Sequence, residues 1–420
     1  LNADLFHRQN SGNSSDAASL ISDIQIQDIC LFQKAVIYNV DRITVISGTC
    51  KHLIQTLGIL VVHKTFNLHQ QTDIVIQYIG NILIILCLVA GLFIGAGGRE
   101  QETEKKRIYI GVACYDQKDT YLGELIEAFK KECSEYKEQG YDISMTVMDA
   151  ANSQRTQNDQ VEELINNGCD VLCVNLCDRT VPSQIIDAAK KKNIPIIFFN
   201  REPVEEDLRQ WDKLYYVGAD AKESGQMQGE LAAEIVNDRP EVDKNGDGKI
   251  QYVILEGEMG HQDAIIRTES VAESMKENGM NIEKLSYRIA NWNRAQAQNQ
   301  MNQLIGQYKN KIEMVLANND AMALGAIDAY EKLGITEANY PVFIGIDGTD
   351  EGLQAVLDSE IAATVYNDKE GQARAMAQLS FAAVTGTGMD DIEFINGKYI
   401  YLPYQKVTAD NVESYINKSE

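Results

Sequence analysis

From residue 108 onward, short β-branched runs alternate with longer segments of helical spacing, and that alternation restricts the possible folds more than any other feature. IYIGVACY (108–115) is a continuous apolar run. YLGELIEAFKKECSEYKEQG (121–140) carries apolar residues at helical intervals until Gly140 stops it. ISMTVMDA, DVLCVNLC and IPIIFFN (194–200) read as further strands, with NDQVEELINNG (158–168) and PSQIIDAAKKKN as helices between them. The pattern resumes with a helix over 222–236, the strand IQYVILEG (250–257) and a helix from Asp263 to Asn278. KLSYRIA, RAQAQNQMNQLIGQY, IEMVLANN (312–319) and DAMALGAIDAYEKLG follow as strand, helix, strand and helix. PVFIGID (341–347) and IAATVYN (361–367) complete the series of strands. Strands joined by helices of about 10–15 residues pair in parallel through right-handed crossovers. The expected fold class is α/β, with two doubly wound parallel sheets in succession and no visible internal repeat.

Ahead of this region, residues 79–96 read IGNILIILCLVAGLFIGA and run into a small-residue, then charged, flank. That shape fits a secretory apolar segment or an uncleaved anchor better than a buried core helix. Residues 79–98 are therefore expected to be a signal or membrane-anchor segment. Residues 1–78 form an extension of unknown role, read as translated upstream sequence, with a short folded cytoplasmic domain as the alternative. The remainder is expected outside the cytoplasm, in the periplasm or at the cell surface, either released or anchored.

Charge removes another class. The chain has 38 Lys+Arg against 62 Asp+Glu, a net charge of −24. Residues 1–100 hold six basic and seven acidic residues, so 32 − 55 = −23 falls on the rest. A nucleic-acid binder needs a basic surplus on some face, and none is available. Cys169, Cys173 and Cys177 are spaced like metal ligands, but their segment reads as a strand, with Cys173 and Cys177 on one face with Asn175. Buried free thiols are expected there and at Cys114, without a disulfide framework.

Open parallel sheets bind ligands beyond the carboxyl ends of their strands. Asn200, Asn319, Asp347 and Asn367 each end a predicted strand. Asp119 and Tyr121 follow the first strand, and His261, Asp263 and Arg267 follow VILEG. Singly, each Asn or Asp reads as a helix cap. Together they offer the multi-toothed hydrogen bonding that suits a neutral ligand rich in hydroxyls. Trp292 lies between a strand and a helix, where its ring is either core or a wall for the apolar face of a sugar. Trp211, in EEDLRQWDK, reads as structural. No GxSxG elbow, HExxH or GxxxxGK[ST] loop is present. Asp119 with Asp347 as a glycosidase carboxylate pair is a weaker reading.

DKNGDGKIQ (243–251) is the most specific local motif. Asp243, Asn245 and Asp247 take positions 1, 3 and 5 of a calcium loop, Gly248 the turn, Lys249 a carbonyl position and Gln251 position 9. Position 12 is Ile254 in place of Glu, so another segment must complete a shell; a metal-free Asx/Gly turn is the alternative.

The strings NDQ (158–160), FFNREP, YYVGADAKESG, DKNGDGKIQ, GHQDAIIR, ANNDAMALGA and TVYND make the chain resemble the galactose/glucose-binding proteins of bacterial ABC importers, from about Ile108 to Thr408. The resemblance implies two α/β lobes joined by three hinge crossings: 107–217 with 369–402, and 221–367 with 406–418. It implies that Asp119, Asn200, His261, Asp263, Arg267, Asn319, Asp347 and Asn367 hydrogen-bond a sugar. Tyr121 and Trp292 would stack on it, Tyr121 standing where the family has Phe. It also implies Glu313 as the missing calcium ligand. The implied protein is a monomeric, non-enzymatic receptor for galactose and/or glucose that serves importer membrane subunits and a chemoreceptor. A sugar-responsive repressor would need a basic helix-turn-helix, which the charge opposes. A membrane-tethered sensor, or a receptor for a pentose, remains as an alternative.

Overall fold

The computed structural model describes residues 106–419. The chain divides into two units, Leu1–Glu102 and Thr103–Glu420, and the described residues belong to the second. The extension over 1–78 and the apolar segment over 79–98 lie outside the described residues.

Among the described residues, twelve strands form two six-stranded sheets. The first sheet contains β1 (Lys106–Cys114), β2 (Tyr141–Asp149), β3 (Val171–Val174), β4 (Ile196–Phe199), β5 (Leu214–Gly218) and β11 (Tyr399–Tyr401), in the order β11-β5-β4-β3-β1-β2. All its pairings are parallel. The second contains β6 (Ile250–Glu256), β7 (Ile282–Ile289), β8 (Met314–Ala317), β9 (Val342–Ile344), β10 (Ala363–Asn367) and β12 (Tyr404–Thr408), in the order β12-β10-β9-β8-β6-β7. Here the sequence reading needs a correction: β12 runs antiparallel to β10, with Asn367 opposite Tyr404 and Ala363 opposite Thr408. A short connection from β11 brings the chain back beside β10, so no crossover helix turns it round.

Burial follows the two-residue period of the strands. In the first sheet Val112, Cys173, Ile197 and Phe199 enter one core, while Ala113, Leu172, Ile196 and Phe198 enter the opposite one. In the second, Val253, Leu255 and Val315 face away from Ile254, Met314 and Leu316. Both faces of each sheet are covered by helices, which is why the strands read as unbroken apolar runs.

The cysteine reading changes in one respect. Strand β3 ends at Val174; the Asn175 backbone N–H still bonds Ala113 O at 3.0 Å, while its buried side-chain amide donates to Phe199 O and Asn200 Oδ1, both at 3.0 Å. Cys177 therefore lies beyond the strand, and Cys169 and Cys173 sit in different cores. All three are free thiols, as are Cys114 and Cys133. Burial pushes Cys173 up to about 12, which keeps it an unreactive thiol.

One helix pair packs through small residues at unusually short range. The helices Ala221–Asp238 and Gln262–Glu277 approach closely enough that Gly225 and Gly229 face Ser270 and Ser274. A methyl group at 225 would lie 2.0 Å from Ser270 Oγ and 2.9 Å from the Arg267 carbonyl. Gly225→Ala should lower the unfolding free energy by about 1–3 kcal/mol through overpacking. Urea denaturation with an unchanged midpoint would show that the helices separate freely.

Candidate functional site

The chain passes between the sheets at three places: Gly218 to Ala221, Asn367 to Lys369, and Tyr401 to Tyr404. The carboxyl ends of strands from both sheets border one pocket with about 350 Å³ of empty space. Asp119, Tyr121, Asn200, His261, Asp263 and Arg267 line it, together with Trp292, Asn319 and Asp347. Of the ten residues expected to contact a sugar, Asn367 alone is not part of this lining. It is buried, its Oδ1 accepting from Gln372 Nε2 at 2.6 Å. Tyr115 and Arg201 line the pocket as well and were not anticipated. Arg201 directly follows Asn200 in FFNREP, so a cation next to a strand end was the available signal.

Three of the lining residues cap helices, and capping fixes how they meet the pocket. Asp119 precedes the Thr120–Glu135 helix; Oδ1 accepts from Leu122 N at 3.0 Å and Oδ2 from the Tyr115 hydroxyl at 2.7 Å. His261 precedes the Gln262–Glu277 helix, and its Nδ1 accepts from Asp263 N at 3.1 Å. That bond leaves the proton of the neutral ring on Nε2, as a donor. Burial, with Arg201 and Arg267 adding to it, holds the imidazole well below its ordinary range, so it is neutral at physiological pH. Asn319 precedes the Asp320–Lys332 helix, with Oδ1 on Met322 N at 2.9 Å and Nδ2 on Trp292 O at 3.3 Å.

Backbone strain places three others. Asn200, Trp292 and Asp347 have φ of 59°, 58° and 111°, and Asn291 before Trp292 also has φ of 51°. The indole lies over Gly257, where a methyl group would stand 2.2 Å from its ring carbon, so only glycine fits beneath it. His261 meets the indole edge-on, with centroids 5.2 Å apart at 79°. Behind Asp347, the fully buried Asp320 accepts from Thr349 N at 2.9 Å and Thr364 Oγ1 at 2.6 Å, fixing the loop.

Arg267 is the buried charge at the centre. It is 4% exposed and donates to Asn318 O at 2.7 Å, to the Tyr404 hydroxyl at 2.9 Å and to Asp347 Oδ1 at 3.4 Å. Among the described residues, its Nε is buried without a partner and Asp263 beside it accepts no hydrogen bond. Burial is the largest influence on Asp119, Asp263 and Asp347 and raises all three, against the pull of the two guanidiniums. Unused donors and acceptors in one enclosed space are an arrangement that a polar ligand completes.

The Periplasmic binding protein domain family matches residues 110–388. The chain belongs to that family. It is accordingly a substrate-binding protein and not an enzyme. The D-galactose/methyl-galactoside binding periplasmic protein MglB of Haemophilus influenzae is 36% identical over 314 residues, 73% of this chain and 91% of that one. The ribose import binding protein RbsB of the same organism is 25% identical, covering 67% of this chain and 86% of its own. A Bacillus halodurans ABC transporter solute-binding protein, solved with bound myo-inositol, aligns with a TM-score of 0.62 at 29% identity, over 75% of this chain and 99% of that one.

Charge pairs join the lobes beside the pocket. Arg201, 5% exposed and stacked 3.6 Å above the Tyr115 ring, donates to Glu258 across the cleft at 2.7 Å. Asn152 reaches the other oxygen of Glu258 at 3.4 Å. On another side Lys369 bonds both Glu124 and Asp350. These contacts require apposed lobes, so they favour closure. Glu258→Gln is expected to weaken ligand affinity about fivefold, the size of roughly 1 kcal/mol, mainly through faster dissociation. Stopped-flow tryptophan fluorescence measures this, and an unchanged dissociation rate would remove the pair from closure.

The loop 243–251 is drawn onto Glu313, which is 1% exposed. The Glu313 carboxylate accepts from Lys244 N and Gln251 N, both at 2.8 Å. Gly246 N and Gly248 N each bond Asp243 at 2.8 Å, and Gln251 Nε2 bonds Asp247 at 2.9 Å. Among the described residues, no three His, Cys, Asp or Glu side chains gather closely enough to hold a metal ion by themselves.

Proposed function

We propose that this protein is an extracytoplasmic receptor that binds D-galactose and/or D-glucose between its lobes and delivers it to an ABC importer. The observation that carries the reading is the unpaired Arg267 Nε and Asp263 carboxylate in a small pocket with Tyr121 and Trp292 in its wall. A pyranose offers apolar CH faces to such rings and a belt of hydroxyls to the carboxylates and amides. In this reading Asp263, Asp119 and Asp347 accept from hydroxyls, and Arg267, His261 Nε2 and the amides of Asn200 and Asn319 donate to their oxygens. Three carboxylates facing two guanidiniums suit a neutral ligand better than a sugar acid. The galactose-binding relative supports the hexose assignment, and closure around the sugar supplies the form that importer membrane subunits, and a chemoreceptor, would recognise. The receptor would act as a monomer, exported by or anchored through residues 79–98. A pentose or cyclitol is the second reading, favoured by the ribose-binding relative and the myo-inositol complex.

Titration calorimetry with galactose, glucose, ribose, xylose and myo-inositol tests both readings. Micromolar or tighter hexose binding is expected, weakened at least tenfold by Asp263→Ala, which corresponds to about 1.4 kcal/mol. Silence toward both hexoses, with binding of a pentose or the cyclitol, would move the second reading to the front.

We further propose that Ca²⁺ is held by Asp243, Asn245, Asp247, Gln251, the Lys249 carbonyl and Glu313. The donor set is all oxygen, as a hard cation requires, and the buried Glu313 carboxylate brings charge to the loop from a separate segment. The ion would tie the loop to the start of β8 and add stability to the second lobe. Chelation should lower the melting temperature by several degrees and Ca²⁺ restore it, with sugar preference unchanged; an unmoved melting curve would overturn the assignment.

A further inference from the structure

The hydroxyl of Tyr121 and the side chain of Asn367 belong to one network. Tyr121 lines the pocket from the Thr120–Glu135 helix in the first lobe, 3% exposed. Asn367 ends β10 in the second sheet, 3% exposed. Gln372, 1% exposed, lies at the start of the Lys369–Thr385 helix, just past the crossing that leaves β10. Its Nε2 donates to the Tyr121 hydroxyl at 2.9 Å and to Asn367 Oδ1 at 2.6 Å. Its Oε1 is buried with no partner among the described residues. One amide thus spans from the wall of one lobe to the last strand residue of the other, and does so with its own oxygen unsatisfied. A phenylalanine at 121 would provide the same ring, and Gln372 is the only hydrogen-bond partner of the Tyr121 hydroxyl among the described residues.

Resting on the sugar-receptor reading, we infer that Gln372 is a positioning residue that sets ligand preference by fixing the hydrogen-bonding polarity of Tyr121 and Asn367. Because Gln372 donates to both, the Tyr121 oxygen accepts and keeps its proton for another partner. Asn367 turns its carbonyl to Gln372 and keeps its Nδ2 donors free. Both groups are then donors toward a ligand oxygen. The inverse arrangement needs an acceptor at 372. A carboxylate there would accept hydrogen bonds from the Tyr121 hydroxyl and the Asn367 amide, and would leave Asn367 with its carbonyl outward.

The experiment compares dissociation constants of the wild type, Tyr121→Phe, Gln372→Leu, their double variant and Gln372→Glu. The probes are galactose, glucose, mannose, ribose and xylose, with melting curves for each variant. The single losses are expected to be roughly three- to tenfold, and the loss in the double variant smaller than the product of the two, since the two changes share one bond. Gln372→Glu should change the ratio of affinities between at least two of the sugars by about fivefold or more. A role in packing alone would weaken every sugar by one common factor and give additive losses, and that result would overturn the proposal. Tyr121→Phe and Gln372→Glu preserve volume, so they decide the matter even if Gln372→Leu fails to fold. A wild-type protein that binds none of the sugars brings down the receptor reading, and the proposal with it.

Discussion

In a parallel sheet, every strand delivers its carboxyl end to the same edge, and the helix that follows begins there. With two such sheets bordering one space, the pocket inherits the start of helix after helix. Each start leaves backbone N–H groups that need an acceptor. Asp119, His261 and Asn319 meet that need with one atom and line the pocket as well. The capping bond removes their rotamer freedom before any ligand arrives, so the same interaction that ends a strand–helix turn also orients a binding group.

Arg267 is the second point on which the arrangement turns. A buried guanidinium is tolerable only when its donors are occupied, and here the carbonyl of Asn318, the hydroxyl of Tyr404 and the carboxylate of Asp347 occupy most of them. These partners come from β8's exit, the third crossing and the loop after β9. The charge therefore ties together the pocket and a hinge strand, and the close packing of Gly225 against its helix holds it at that depth. Charge pairs between the lobes, Arg201–Glu258 at the pocket and Lys369–Asp350 on another side, add a further bias toward apposed lobes.

Much of the fold was legible because both faces of each sheet are covered, which makes β-branched runs such as IYIGVACY and IPIIFFN continuous and easy to distinguish from the amphipathic helices. What was illegible has physical reasons. The antiparallel β12 follows a two-residue link from β11, and neither short strand carries a period long enough to declare direction. The Asn175 side-chain amide finds partners on β4 and beyond it, a contact invisible in DVLCVNLC. The helix Lys369–Thr385 brings Gln372 to Tyr121 across 251 positions of sequence. Tyr115 was hidden as part of an apolar strand, although its hydroxyl and ring serve Asp119 and Arg201.

The sequence by itself determined the class of fold, the acidic and non-nucleic character of the chain, and the presence of short polar side chains at the strand ends. These are local properties: periodicity, charge and the residue types that stop a strand or start a helix. Tertiary structure alone decided which of those side chains share a pocket and which are spent on capping. It made Trp292 a wall over Gly257, left Arg267 Nε without a partner among the described residues, and bonded Asn367 to Gln372. Such outcomes depend on distances between residues far apart in the chain, and no local pattern encodes a distance.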